Sequence, residues 1–322
     1  MPRAPRFWDH GDRLSRPLSA LLSPLGAITA AATAARVARP GWRPPVPVIC
    51  CGNVTIGGAG KTTVALDLGG RLVAAGRAVH FLLRGYGGAI RTTHRVTAQD
   101  AAADVGDEAL LLAEVAPTWV GGDRAASARA AVAAGAEVLV MDDGLQNPGL
   151  HKDLSLLVVD GASGFGNGSV LPAGPLREPV AACAARCQAV VLIGADRTGA
   201  AAATGLPVLR ASLRPAPGIG EWVQRPVLAF AGIARPGKFF AMLEAAGVRL
   251  AGTAPFPDHH AYTEPELRGL AETAARLGAT PVTTPKDAVR LPPAWRDRVG
   301  VVGVSLAWED ADAVDALLAR QG

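Results

Sequence analysis

The stretch at residues 46–63, Val-Pro-Val-Ile-Cys-Cys-Gly-Asn-Val-Thr-Ile-Gly-Gly-Ala-Gly-Lys-Thr-Thr, constrains the chain more than any other. Its apolar run, Val48 to Cys51, reads as a buried strand. A Gly-rich turn follows, and Lys61-Thr62-Thr63 opens an amphipathic helix expected over 63–75. A phosphate-binding loop needs this strand–loop–helix order. Glycines let backbone N–H groups crowd round phosphate oxygens, and the helix N-terminus adds partial positive charge. Residues Thr55, Ile56, Gly57, Gly58, Ala59, Gly60, Lys61, Thr62 and Thr63 are therefore the candidate nucleotide contacts. Lys61 would reach the β- and γ-phosphates, and Thr62 would ligand Mg²⁺. Thr55 stands where the strict pattern has Gly. The plain alternative is an ordinary Gly-rich turn between a strand and a helix.

A second apolar strand, 137–141, ends in the paired aspartates Asp142 and Asp143. A carboxylate at a strand end beside a phosphate loop suits a magnesium ion and its waters. Gln146 follows closely and would orient a phosphate or a water. Other strands are expected at 78–83, 155–160 and 189–193, with a short strand and turn at 119–124, alternating with helices, which is an α/β pattern with a mostly parallel sheet.

Three polar turns follow these strands. Tyr86 lies in Arg-Gly-Tyr-Gly-Gly at 84–88, where open α/β sheets place ligands. Asp107 and Glu108 open a helix; Asp107 reads either as its cap or as a general base. Arg124 follows a Gly-Gly-Asp turn. A long loop at 164–178, dense in Gly and Pro, ends at Arg177, which would clamp a phosphate or stand as a surface arginine.

The texture changes near 215–226, and a smaller α/β unit with strands at 227–233, 249–253, 281–284 and 301–306 is expected beyond it. Asp258, His259 and His260 sit together there and could form a metal site, although no third spaced ligand accompanies them.

At 322 residues and 49% hydrophobic, the chain has material for a large core. Its formal net charge of +4 is mild and spread out, which speaks against nucleic acid and suits an anionic surface or a phosphorylated substrate. Its four cysteines form no CxxC pair and read as free thiols. Residues 17–35 carry no charge, and Pro24 and Gly26 interrupt them. With Phe7, Trp8, Leu14, Leu18, Leu21, Leu22 and Leu25 on one side and Arg3, Arg6, Arg13 and Arg16 nearby, they read as a broken helix. It would lie on a membrane surface or pack on the protein's own core.

Taken in order, several landmarks resemble the tetraacyldisaccharide 4′-kinase family of lipid A biosynthesis. They are the loop from Gly52 to Thr62, Arg84-Gly85-Tyr86-Gly87, Gly106-Asp107-Glu108, Asp142-Asp143-Gly144-Leu145-Gln146 and Leu171-Pro172-Ala173-Gly174-Pro175-Leu176-Arg177-Glu178. Phe230-Ala231-Gly232-Ile233-Ala234-Arg235-Pro236, Phe256-Pro257-Asp258-His259-His260 and Thr283-Thr284-Pro285-Lys286-Asp287 continue the series. Asn147 and Pro285 depart from the commonest form, and neither is assigned to chemistry. The resemblance implies a P-loop NTPase-like fold with helices on both faces of a mostly parallel sheet. The expected division is an N-terminal membrane-surface helix at 1–40, a kinase domain at 41–222 and a smaller C-terminal α/β domain at 223–322. It implies ATP and Mg²⁺ as cofactors and transfer of the γ-phosphate to the 4′-hydroxyl of a tetraacyldisaccharide 1-phosphate. It also implies a peripheral or monotopic place on the cytoplasmic face of the bacterial inner membrane, with no protein partner expected. Asp107 becomes the base, supported by His259, with Lys61 on the phosphates. Tyr86, Glu108, Arg124 and Arg177 become substrate contacts, and Thr62, Asp142 and Asp143 hold the metal. The alternative from another class is a nucleotide-driven switch or metal-insertion accessory protein using His259 and His260 as ligands.

Overall fold

The computed structural model describes residues 5–8 and 15–321. Arg3, Arg13 and Leu14, counted above with the N-terminal segment, lie outside the described residues. Strands come in the order β1 (Val48–Gly52), β2 (Val79–Leu83), β3 (His94–Arg95), β4 (Thr118–Val120), β5 (Val138–Asp142), β6 (Leu154–Asp160) and β7 (Ala189–Ile193). They continue with β8 (Val208–Pro215), β9 (Val227–Ala231), β10 (Leu250–Pro255), β11 (Thr280–Thr283), β12 (Gly300–Val301) and β13 (Val304–Trp308). A nine-stranded sheet has the order β13-β8-β7-β6-β1-β5-β2-β4-β3, and a four-stranded sheet the order β10-β9-β11-β12. In the large sheet the inner strands are parallel, and both edge strands run antiparallel to their neighbours. The small sheet is wholly parallel.

The inner strands are apolar on both faces because helices cover both. Ile49 and Cys51 of β1 feed one core, and Val48 and Cys50 the other. Fully buried side chains such as Leu139, Leu157 and Phe81 tie these layers together. Each contributes on the order of 2 kcal/mol. All four cysteines are free and buried. The strand β1 lies between β5 and β6, so the chain leaves it in opposite directions along the sheet. That reversal opens a crevice at the strands' carboxyl ends, where such folds bind ligands.

Three expectations change. The N-terminal helix α1 (Ser15–Val37) is continuous through Pro24. The proline removes an N–H that would have met the Ala20 carbonyl, and the Ser23 hydroxyl donates to that carbonyl instead, at 2.8 Å. The helix α2 (Lys61–Ala74) begins at Lys61, directly after Gly60 in the left-handed region at φ 85°. The tail is the third. The strand expected at 301–306 as part of the smaller unit is split between two sheets. Gly300 and Val301 stay in the small sheet, whereas β13 pairs antiparallel with β8 in the large one. So the large sheet draws on both sides of the small one in sequence, and 223–322 is not a self-contained block. The physical cause is the packing of the tail on α2: Leu306, Val314 and Leu318 join the core above it, and Trp308 Nε1 donates to Asp67 at 2.7 Å. The two connecting segments are bonded to each other, Ala216 N donating to Gly303 O at 2.9 Å.

Candidate active site

The first wall is the loop between β1 and α2. Lys61 Nζ folds back over it, donating to Asn53 Oδ1 at 3.2 Å and to Gly57 O at 3.5 Å. The first helical amides, at Lys61, Thr62 and Thr63, have no intrahelical acceptor and face the loop's mouth. Thr55 and Ile56 do other work. Ile56 N donates to Pro175 O at 2.9 Å, Thr55 bridges Leu176, and Arg177 N donates to Val54 O at 2.6 Å. The long Gly/Pro loop is thus zipped to the phosphate loop.

The second wall is the end of β5. Thr62 Oγ1 donates to Asp142 Oδ2 at 2.9 Å, while Asp142 Oδ1 is buried with no partner. Burial, with the charges of Glu108 and Asp143 nearby, pushes the Asp142 carboxyl up to about 7. This carboxylate is short of positive charge. Asp143, in the left-handed region at φ 54°, is the reverse. Arg177 grips it with both terminal nitrogens, at 2.7 and 3.0 Å, and Lys61 lies 3.8 Å away. Burial disfavours its charge, but Lys61 and Arg177 outweigh that and hold it below the ordinary carboxylate range. Arg177 is therefore spent on Asp143 and on Gln146 Oε1. The Gln146 amide nitrogen donates to Asn53 O at 3.0 Å and to Glu178 at 2.9 Å. Gln146 braces the loop from beneath.

The third wall joins the two sheets. Gly106, not Asp107, occupies the cap position of the helix Asp107–Ala113. Asp107 Oδ1 accepts from the Glu108 N–H at 3.0 Å, and its Oδ2 accepts from Arg290 and lies 3.4 Å from His259 Nδ1. Arg290 and His259 both come from the small sheet's loops. Burial opposes ionisation of Asp107, but His259, Arg290 and Lys286 outweigh it and hold the carboxyl far below its usual range. The Asp107 bond in turn raises His259. His259 is held at φ 57°, unusual outside glycine, with its N–H on the Gly232 carbonyl at 3.0 Å. Glu108, expected on substrate, pairs with Lys286 at 2.8 Å. At the mouth, Tyr86 is exposed. Arg124 is buried, donates to the Gly121 carbonyl and leaves Nε without a partner. Burial and the neighbouring Arg84 lower it to about 10.

Loop, aspartate pair and Asp107–His259 pair thus converge on one crevice. Sequence reasoning named most of these residues and missed Asn53, Arg84, Lys286, Asp287 and Arg290. Lys286 and Asp287 were visible in a polar turn after a strand, but nothing local signalled Arg290. Among the described residues no cluster of three His, Cys, Asp or Glu side chains could hold a metal ion, which removes the Asp258-His259-His260 metal reading. His260 instead bonds Glu266 at 3.1 Å.

Comparison with known proteins covers nearly all of the chain. Residues 18–321 match the family described as tetraacyldisaccharide-1-P 4′-kinase. A tetraacyldisaccharide 4′-kinase of Gluconacetobacter diazotrophicus is 61% identical over 98% of this chain and 97% of its own. One from Rhodospirillum centenum is 56% identical over 98% and 96%. Among solved structures, LpxK of Aquifex aeolicus in complex with ATP has a TM-score of 0.74 at 25% identity, covering 94% of this chain and 99% of that one.

Proposed function

This chain belongs to the tetraacyldisaccharide 4′-kinase family, and from that premise we propose how its crevice performs the transfer. The protein is an ATP-dependent kinase that moves the γ-phosphate to the 4′-hydroxyl of a tetraacyldisaccharide 1-phosphate, a late step of lipid A biosynthesis. Phosphoryl transfer asks mainly for positioning and charge neutralisation. Lys61 and the amides from Gly57 to Thr63 would hold the β- and γ-phosphates, with the Ile56 amide held back by Pro175.

Thr62 and Asp142, with Asp143 beside them, would hold Mg²⁺. The orphaned Asp142 Oδ1, on a carboxyl raised by burial and by the charges of Glu108 and Asp143, is what a divalent cation fits. When bound, the ion neutralises charge on the transferring phosphate.

The observation that carries the mechanism is the Asp107–His259 pair. We assign it the hydroxyl proton. The family resemblance made Asp107 the base and His259 its support. The geometry favours a division of labour, because both Asp107 oxygens are already engaged and its side chain is 4% exposed, against 39% for His259. His259 is the member a sugar hydroxyl can approach, and Asp107 fixes its orientation and balances its charge. Tyr86, at the mouth, and Arg124, buried with an unpaired nitrogen, are the remaining candidates for substrate, including its 1-phosphate. Glu108 and Arg177 act on it only indirectly, through Lys286 and Asp143.

The lipid would be met at the cytoplasmic face of the inner membrane. The support is α1, which is long and apolar enough to cross a membrane and is mostly exposed. We favour a helix seated in the interface, because α1 is tied to the body along one side.

Incubating the protein with labelled ATP, Mg²⁺ and the disaccharide lipid should place label on the lipid. Asp107→Ala should lower kcat by roughly 10²–10⁴-fold while ATP binding is retained. Near-normal turnover by that variant would refute the pair.

A further inference from the structure

Arg290 lies outside every motif that holds nucleotide, yet its side chain is only 6% exposed. Its Nη1 donates to the Gly232 carbonyl at 2.8 Å and to Asp287 Oδ1 at 3.2 Å. Its Nη2 donates to Asp107 Oδ2 across the crevice and lies 3.4 Å from His259 Nδ1. Asp287, fully buried, is itself fixed by three donors. They are the Gly232 N–H at 2.9 Å, the Tyr262 hydroxyl at 2.8 Å and the Thr284 hydroxyl at 2.7 Å. The guanidinium is therefore seated on the small sheet's side before it meets Asp107. A planar fork can bridge a carbonyl and two carboxylates at once, which an ammonium on a flexible stem cannot.

We infer that Arg290 is a positioning residue: seated by Asp287, it turns the Asp107 carboxylate toward His259, so that the proton-accepting pair is complete only while the small sheet is docked. Lys286, four residues earlier, makes the companion contact to Glu108. The inference rests on the reading that the pair takes the proton.

The charges around the pair set the sign of a test. Asp107 faces Arg290, His259 and Lys286, with Glu108 adjacent. His259 faces Asp107, Asp258 and Arg290. Removing the Arg290 charge favours protonation of both members, so the working form should appear only at higher pH.

The experiment is a kcat–pH profile of the full chain with labelled ATP, Mg²⁺ and the disaccharide lipid. Arg290→Gln should lower kcat by about 10-fold or more at neutral pH, leave KM for ATP within about twofold, and move the acid limb to higher pH. Arg290→Lys should return the acid limb toward its original place while kcat stays reduced, because charge is kept and the fork is lost. A normal kcat in Arg290→Gln, or a fall in kcat with an unmoved limb, would overturn the inference. Should Arg290→Gln not fold, near-normal kcat in Arg290→Lys overturns it and reduced kcat with an unmoved limb supports it. Asp107→Ala and His259→Ala are measured alongside. If they turn over normally, the pair itself is refuted; if they are inactive while Arg290→Gln is normal, only the positioning role fails.

Discussion

Two aspartates at the crevice show how the same side chain is put to different uses by what surrounds it. Asp142 is buried at a strand end beside Glu108 and Asp143, and burial above all pushes its carboxyl up to about 7. Asp107 is surrounded by cations and stays ionised. The second case ties stability to pH. A carboxyl whose folded value lies below its unfolded value contributes stability that is present above about 3.9 and is lost as pH falls through the folded value. The urea midpoint of the wild type should therefore drop between about pH 5 and about pH 2 more steeply than that of Asp107→Asn. Equal slopes in the two proteins would show that the Asp107 contacts do not bear on folding. These aspartates were legible in the sequence because a helix start and a strand end are local signals. Arg290 was not, since it meets Asp107 across 183 residues of chain.

At the scale of elements, the helix α1 and the phosphate loop are joined by the long Gly/Pro loop. Ser19 donates to the Ala173 carbonyl at 2.8 Å, and Asn167 donates to Ser19 at 2.7 Å. On the loop's other side lie the contacts of Pro175 with Ile56 and of Arg177 with Val54. At Gly26 the helix passes close to the loop, since a Cβ there would stand 2.8 Å from the Val170 carbonyl oxygen. Gly26→Val should part the helix from the loop and raise KM for ATP several-fold, whereas Ala27→Val on the exposed side should not. Equal KM values in the two variants would mean that helix and loop are uncoupled. Sequence reasoning marked this loop as functional from its length and composition. The apolar inner strands were also plain. The strand β8 was not, because several of its residues are exposed and it reads like the linker that follows. Its partner β13 arrives only after the whole small sheet.

At the scale of the whole molecule, the proposed membrane contact can be tested on one exposed apolar stripe. Leu21, Leu25 and Ile28 are 74%, 52% and 66% exposed on one stripe of α1, away from the body. Replacing all three with Asp should weaken binding to vesicles containing anionic lipid by about tenfold or more, with binding of a fluorescent ATP analogue unchanged. Unaltered vesicle binding would locate the membrane contact elsewhere. The α/β architecture, the loop and the aspartate pair were legible because each is written in contiguous residues. The cross-crevice contacts and the return of the tail were not, because they join distant stretches. That return bears on how the protein is made. On the ribosome, α1 emerges before every strand of either sheet. The strand β13 emerges only after the small sheet, and until then β8 presents an open edge to any other strand. The sheet behind the nucleotide site can thus close only after the small sheet has been made. A chaperone that shields β8 in that interval would protect the nascent kinase from pairing with its own copies.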